Sequence, residues 1–375
     1  MHAHAPTPTH ARPRAHARPP LRPSAPTRPR AHAPTRPRPP ARCAHARAGR
    51  AGAGHPPTRG RERPARRGTR APRHAPAPAR VRSRRQTAGV PLTTPHRGLL
   101  GAADRPSGVA LPPDRLPLLL AGRVRKRWRY VGAYGPELSV CVGLVRIGPL
   151  TQSFWAVWDR GEGRLSERTR PRAAGVSLEP GRVRVADGAV RIDLEVDEDA
   201  ADAVETVTPY GPGHAWTLKR AGVPVRGTVR VGDREHAFDG AGVVDDSAGW
   251  PPRHTSWRWS AGVGVDERGR SIGWNLVDGI HDDEAASERS VWVDGRAAHV
   301  GPVRFARDLS GVRSVAPDGL VDLAFRAEAT RARRDRLVVV RSSYEQPFGT
   351  FAGTLPGGVT LAEGFGVMER HDAVW

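Results

Sequence analysis

The run Val190-Arg191-Ile192-Asp193-Leu194-Glu195-Val196 decides the fold class. Apolar and polar residues alternate through it without a break, which is the period of a half-buried antiparallel strand. Asp187-Gly188 comes just before it, the residue pair favoured in a type I′ hairpin turn. The same grammar recurs down the chain. Val225-Arg226 and Val229-Arg230-Val231 alternate, and Asp294-Gly295 separates Val291-Trp292-Val293 from the apolar run at 297–300. Asp318-Gly319 leads into 320–325, while Gly269 and Gly357-Gly358 mark two more turns. In Arg125-Lys126-Arg127-Trp128-Arg129-Tyr130, alternation puts Trp128 and Tyr130 on one strand face and Arg127 and Arg129 on the other. Helical pattern is nearly absent. Residues 197–207, 282–289 and 327–335 are each open to a short helix or a loop, and none could carry an α/β crossover fold. The expectation is an all-β sandwich or barrel.

The chain has 375 residues and a formal net charge of +22. That charge is not spread evenly. Residues 1–90 contain 22 Arg, no Lys and one acid, Glu62; residues 91–375 contain 38 basic against 37 acidic residues. The basic tail, built of Ala, Pro, Arg, His, Thr and Gly, has too little apolar surface to offset chain entropy and is expected to be disordered. Its skew toward residues with GC-rich codons suggests translated upstream sequence, with a natural start near residues 81–90; the competing reading is a basic arm for nucleic acid. Nucleic acid is therefore not an expected partner except through the tail. The remainder divides into two β halves, 91–238 and 239–375, with Leu116-Pro117-Leu118-Leu119-Leu120 as an apolar anchor in the lead-in.

Two cysteines, Cys43 and Cys141, give no disulfide framework. No run approaches the ~18 apolar residues of a membrane span, and no apolar segment follows the basic N-terminus as in a secretory signal. Cytoplasmic is the default location. His254, His281, His299 and His371 lack metal-ligand spacing, so neither a metal nor another cofactor is expected. Gly269-Arg270-Ser271-Ile272-Gly273 fits the hydrolase elbow string, but Ser271 opens a strand and no helix follows.

The densest mixture of apolar surface and polar groups lies in residues 245–278. Asp245-Asp246-Ser247 leads to Trp250, then to His254-Thr255-Ser256-Trp257-Arg258-Trp259; a hairpin-like return brings Gly273-Trp274-Asn275-Leu276-Val277-Asp278. Four of the ten tryptophans and the single asparagine are here, a composition suited to a ligand pocket. Alternation places Thr255, Trp257 and Trp259 on one face and His254, Ser256 and Arg258 on the other. If the two strands pair, Asp245, Asn275 and Asp278 would gather near an aromatic wall, where desolvation would raise a carboxyl pKa. Asp245 and Asp278 could equally cap turns. A second constellation joins Ser342-Ser343-Tyr344-Glu345-Gln346 to Glu369-Arg370-His371, a Glu-x-His pair able to relay a proton or to form an exposed ion pair.

Several of these motifs together, Arg125-Lys126-Arg127-Trp128, Asp245, Thr255-Ser256-Trp257-Arg258-Trp259, Gly273-Trp274-Asn275-Leu276-Val277-Asp278-Gly279, Glu288, Trp292-Val293-Asp294-Gly295, Tyr344-Glu345-Gln346-Pro347-Phe348-Gly349 and Glu369-Arg370-His371, resemble the domain of unknown function 2804 family from about Thr87 onward. The resemblance implies a bacterial, mostly cytoplasmic protein without an established activity. More distantly the chain looks like lipocalin-related double-barrel proteins that include carotenoid hydratases and hydroxyneurosporene synthases. That likeness implies a two-part lipocalin-like barrel or sandwich and carries over Asp245 and the Trp257/Trp259 strand. The histidine expected beside that aspartate is replaced, since Asp246 and Ser247 follow it.

Three functions follow as expectations. The first is binding of an apolar small molecule or lipid, with Trp257, Trp259, Trp274 and Trp292 lining the pocket and Asp245, His254, Asn275, Asp278, Tyr344 and Gln346 as polar contacts. The second is acid-catalysed hydration or isomerisation of an isoprenoid-like substrate, with Asp245 and His254 as catalytic candidates and indoles stabilising a cation. The third is a structural or carbohydrate-binding β-sandwich. Oligomeric state is left open.

Overall fold

A computed structural model describes residues 92–317, 319–336 and 341–375. The tail, the expected disorder of 1–90 and Asp318 of the Asp318-Gly319 turn lie outside these residues. The described residues form antiparallel β-sheet almost throughout, with a single 3-10 turn at Glu198–Ala200.

The first sheet has 11 strands. Its central strands are Leu150–Asp159, Leu138–Ile147, Lys126–Tyr134, Arg234–Gly249 and Gly213–Val231, hydrogen-bonded in that order. The hairpin of Arg182–Asp187 and Val190–Val196 extends one side, and alternation there is complete: Val190, Ile192, Leu194 and Val196 are buried between outward polar residues. Gly188 takes φ +60°. Asp187 pairs with Val190, however, and neither it nor Ala189 has positive φ, so the loop is Gly188-Ala189 in a type II′ arrangement and not the type I′ turn expected of Asp187-Gly188.

The second sheet has 9 strands and begins after the short link at 251–253. His254–Asp266 pairs with Ser271–Asp278 on one side and with Val359–Val374 on the other, and Arg341–Leu355 and Asp322–Arg336 continue the sheet. At Asp294-Gly295 both residues have positive φ, 48° and 78°, the signature of a type I′ turn.

One core joins the sheets: Tyr130, Trp155 and Val223 from the first pack in the same cluster as Trp259, Trp292 and Phe365 from the second. The second sheet also curls over its own far face, where Trp274, Leu276, Phe325 and Phe351 meet Val303, Phe305 and Leu309. A third cluster uses Leu111 and Leu116 of the lead-in against Trp216 and Trp250. Leu118 and Leu119 stay exposed, so the anchor is Leu116, with Leu120 partly buried against the same cluster.

The three segments left open between helix and loop resolve differently. Residues 197–207 hold the 3-10 turn and then the strand Val204–Tyr210, and 282–289 is a loop. Residues 327–335 lie inside the strand Asp322–Arg336, whose arginines face solvent or carboxylates and so break the apolar alternation a strand normally shows. No helix among the described residues is long and apolar enough to cross a membrane.

Candidate functional site

Between the two sheets lies a hollow of about 530 Å³. Strand register explains its lining, because residues directly opposite in neighbouring antiparallel strands share a face. In the first sheet, register aligns Lys219, Asp245, Tyr130, Gly143, Phe154 and Thr169 into one row. The next row is Ser247, Trp128, Val145 and Gln152. Gly143 matters here: a Cβ at this position would run into the Phe154 ring, which lies over the bare backbone and fills the gap in the wall.

In the second sheet one row runs Val277, Trp259, Glu369, and another runs Trp257, His371, Tyr344, Arg333. The rows of the two sheets face each other. Tyr130 meets Trp259 edge-on at 5.5 Å between ring centroids, and the Arg331 guanidinium lies 4.5 Å from the centre of the Phe154 ring. Leu150, Pro171 and Arg333 are exposed lining residues and mark where the hollow opens.

The inner end is charged. Lys219 Nζ sits 2.6 Å from Asp245 Oδ1 and 3.3 Å from Glu288 Oε1. One ammonium therefore serves two carboxylates. Burial would lower the lysine pKa, but the charges of Asp245 and Glu288 outweigh it and hold it above its ordinary value. Burial raises the Asp245 carboxyl, Lys219 opposes that, and the second negative charge on Glu288 reinforces it. His281 packs beside this group with φ +51° and its Nδ1 2.9 Å from Thr208 Oγ1. Burial, then the nearby Lys219 charge, push it down to about 3, so it is a neutral imidazole.

Glu369 supplies a second carboxyl on the opposite wall. Trp257 Nε1 donates to its Oε1 at 2.8 Å and Gln346 Nε2 donates to its Oε2 at 2.9 Å. Burial nonetheless pushes it up to about 7, the Asp245 charge adding to the effect against those two donors. His371 on the same face is pushed down to about 4 by burial and bonds Ser342 Oγ at 2.8 Å. The Glu-x-His pair thus shares the pocket face, with each member bonded elsewhere.

Among the residues expected from sequence, Asp245, Trp257, Trp259 and Tyr344 come together on the lining. Gln346 stands one layer behind, holding Glu369. Asn275 also acts from behind: it accepts from Trp259 Nε1 at 2.7 Å and donates to the Glu288 carbonyl at 3.0 Å, fixing an indole and the acidic loop at once.

Four expected residues stand apart. Trp274 is on the other strand face, buried in the second sheet's own core with its Nε1 on Ser260 Oγ. Trp292 is core, donating to the Asp202 carbonyl. Asp278 faces away from the hollow and lies 3.7 Å from Arg258, and His254 is exposed beside Asp372 at 2.8 Å. Strand parity accounts for His254, Trp274 and Asp278, whose even positions fall opposite Trp257, Trp259 and Val277.

Lys219, Glu288, His281 and Arg331 were not singled out as site residues by sequence reasoning. Lys219 had a usable signal: it is one of two lysines in the chain and ends the apolar run Ala215-Trp216-Thr217-Leu218. Among the described residues, no three His, Cys, Asp or Glu side chains converge as a metal-ligand set.

Residues 175–375 match the domain of unknown function family DUF2804. The chain belongs to this family. The DUF2804 match covers the second sheet and the later strands of the first, and so includes Lys219, Asp245, Glu288 and Glu369, while the residues before 175 lie beyond it. A comparison with curated proteins finds no match. Among solved structures, kievitone hydratase from Nectria haematococca is similar at 9% identity and a TM-score of 0.40, covering 65% of this chain and 88% of its own. A candidate AttH from Nitrosomonas europaea has 13% identity and a TM-score of 0.36, covering 70% and 98%. CghA with Sch210972 has 12% identity and a TM-score of 0.32, covering 67% and 88%.

Proposed function

We propose that this protein binds an apolar small molecule or lipid in the hollow between its sheets. The observation that carries the reading is the lining itself: aromatic rings from Trp128, Tyr130, Phe154, Trp257, Trp259 and Tyr344 around about 530 Å³, with charged side chains and histidines interspersed among them. That volume and that mixture suit a drug-sized ligand held largely by apolar contact and oriented by a few polar groups. A hollow recessed between two sheets supports this reading over a sugar platform, which would present its aromatics on an open surface. Fluorescence of the full chain, titrated with fatty acids, isoprenoids and carotenoids, tests it. Trp257 and Trp259 report directly, so binding shifts or quenches emission; unchanged emission across the panel contradicts the proposal.

The two carboxyls favour a second reading, acid-catalysed hydration or isomerisation of an isoprenoid-like alkene. In its protonated form, which burial and the Glu288 charge favour against Lys219, Asp245 would pass its proton to an alkene carbon, the surrounding rings would stabilise the resulting carbocation, and water would capture the cation and return a proton to the carboxylate. Deuterium from D2O should then enter a bound isoprenoid in the wild-type chain and not in Asp245→Asn. Incorporation at the same rate in both would remove Asp245 from the role.

A further inference from the structure

The charges around the hollow restrict what it can hold. Each cation on its lining already has a carboxylate partner. Lys219 has Asp245 and Glu288; Arg331 has Glu167 at 2.8 Å; Arg170 has Asp187 at 2.5 Å; Arg333 has Asp335 at 2.8 Å; Arg129 has Asp246 and Glu198. Lys126, which has no carboxylate partner among the described residues, is not on the lining: its ammonium rests 5.0 Å from the Trp375 ring centre and donates to Pro252 O. An anionic head group would thus find no free cation and would meet Asp245, Glu288 and Glu369. A cationic head group is opposed as well. Asp335 is held by Arg333, and Glu369 by Trp257 and Gln346. The remaining lining carboxylates, Asp245 and Glu288, are both held by Lys219, Asp245 through Oδ1, which Ser247 also bonds at 3.2 Å. An ammonium at Oδ2 would lie against the Lys219 charge on the same carboxylate, and like charges this close are costly in a poorly solvated site.

A neutral donor avoids both penalties. We infer that the occupant is an uncharged amphiphile whose hydroxyl donates to Asp245 while its hydrocarbon lies along the Trp257–Trp259 wall. The inference rests on the binding function proposed above and names the ligand class of that same site. Buried polar atoms that lose a partner cost more than solvated ones, so the head group, and not the chain, sets discrimination.

The test compares three probes of equal chain length on the full-length protein at about pH 7.5 by tryptophan fluorescence: dodecanol, dodecanoate and dodecylammonium. Dodecanol should bind at least about tenfold more tightly than either charged probe, a difference of about 1.4 kcal/mol. Asp245→Asn removes one negative charge and leaves Lys219 facing Glu288 alone, so dodecanoate should gain about tenfold relative to dodecanol. Equal or tighter binding of dodecanoate or dodecylammonium by the wild-type chain overturns the assignment and leaves the binding function standing. Failure of all three to bind overturns both. The wild-type comparison decides the matter even if the variant does not fold.

Discussion

Replacing Glu369 with Gln should change how stability depends on pH. The carboxyl stands near 7 in the folded chain against an ordinary 4.5, chiefly because the second sheet buries it beneath Trp257 and Gln346. Unfolding returns it to water and to its ordinary value. The folded state therefore holds this proton more tightly, and the group contributes stability that is complete below about 4.5 and is lost as pH rises through about 7. The gap between those values, at about 1.36 kcal/mol per pH unit, comes to about 3 kcal/mol. Gln keeps the shape without the charge. Its new NH2 needs an acceptor, which the Gln346 amide provides by turning over, at the expense of a weak 3.8 Å contact with the Cys141 thiol. Urea unfolding of both proteins between about pH 4.5 and 8.5, followed by tryptophan emission, reads the effect because titrating groups remote from Glu369 cancel in the difference. The wild-type chain should lose about 3 kcal/mol relative to Glu369→Gln across that range. Parallel stability curves would refute the reasoning, as would a wild type that gains on the variant with rising pH.

Three further substitutions probe the site's surroundings. Lys219→Met strands Asp245 and Glu288 without a cation and should cost about 3–5 kcal/mol near pH 8; the cost should shrink as pH falls and Asp245, already raised by burial, takes up a proton, and a pH-independent cost in urea unfolding would contradict the ion-pair geometry. Trp274→Ala empties part of the second sheet's own core and should cost about 3–5 kcal/mol by thermal or urea unfolding; where the variant remains folded, dodecanol affinity should stay within a few-fold of wild type. His254→Ala, at an exposed pair with Asp372, should change stability by no more than about 0.5 kcal/mol and leave ligand titrations unchanged; a large loss of binding would place His254 in the site after all.

The sequence carried the fold class in two plain signals. Strict alternation at Val190–Val196 became a half-buried strand, and Asp187-Gly188 and Asp294-Gly295 became tight turns with positive φ at their glycines. Both depend on local geometry, so neither needed the rest of the chain. Residues 327–335 were harder. Their arginines are partnered from elsewhere, Arg331 by Glu167 of the other sheet, and a strand stabilised that way loses its apolar rhythm.

The site was legible only along single strands. Trp257 and Trp259 could be assigned to one face by counting residues, but whether that face meets a hollow or solid packing depends on which strand lies opposite. Trp274 and Trp292 show the difference: equally apolar in sequence, they are core because the second sheet curls on one side and meets the first sheet on the other. Lys219 and Glu288 lie far apart in sequence and approach within 3.3 Å only through the pairing of two sheets. No periodicity within either segment encodes that meeting.

The most direct measurement of the central claim is native mass spectrometry of the freshly purified full-length chain. A hollow that binds an uncharged amphiphile predicts, beside the bare chain, a second species heavier by one small neutral lipid, displaced when dodecanol is added in excess. A spectrum containing the bare chain alone, unchanged after dodecanol is added, would contradict it.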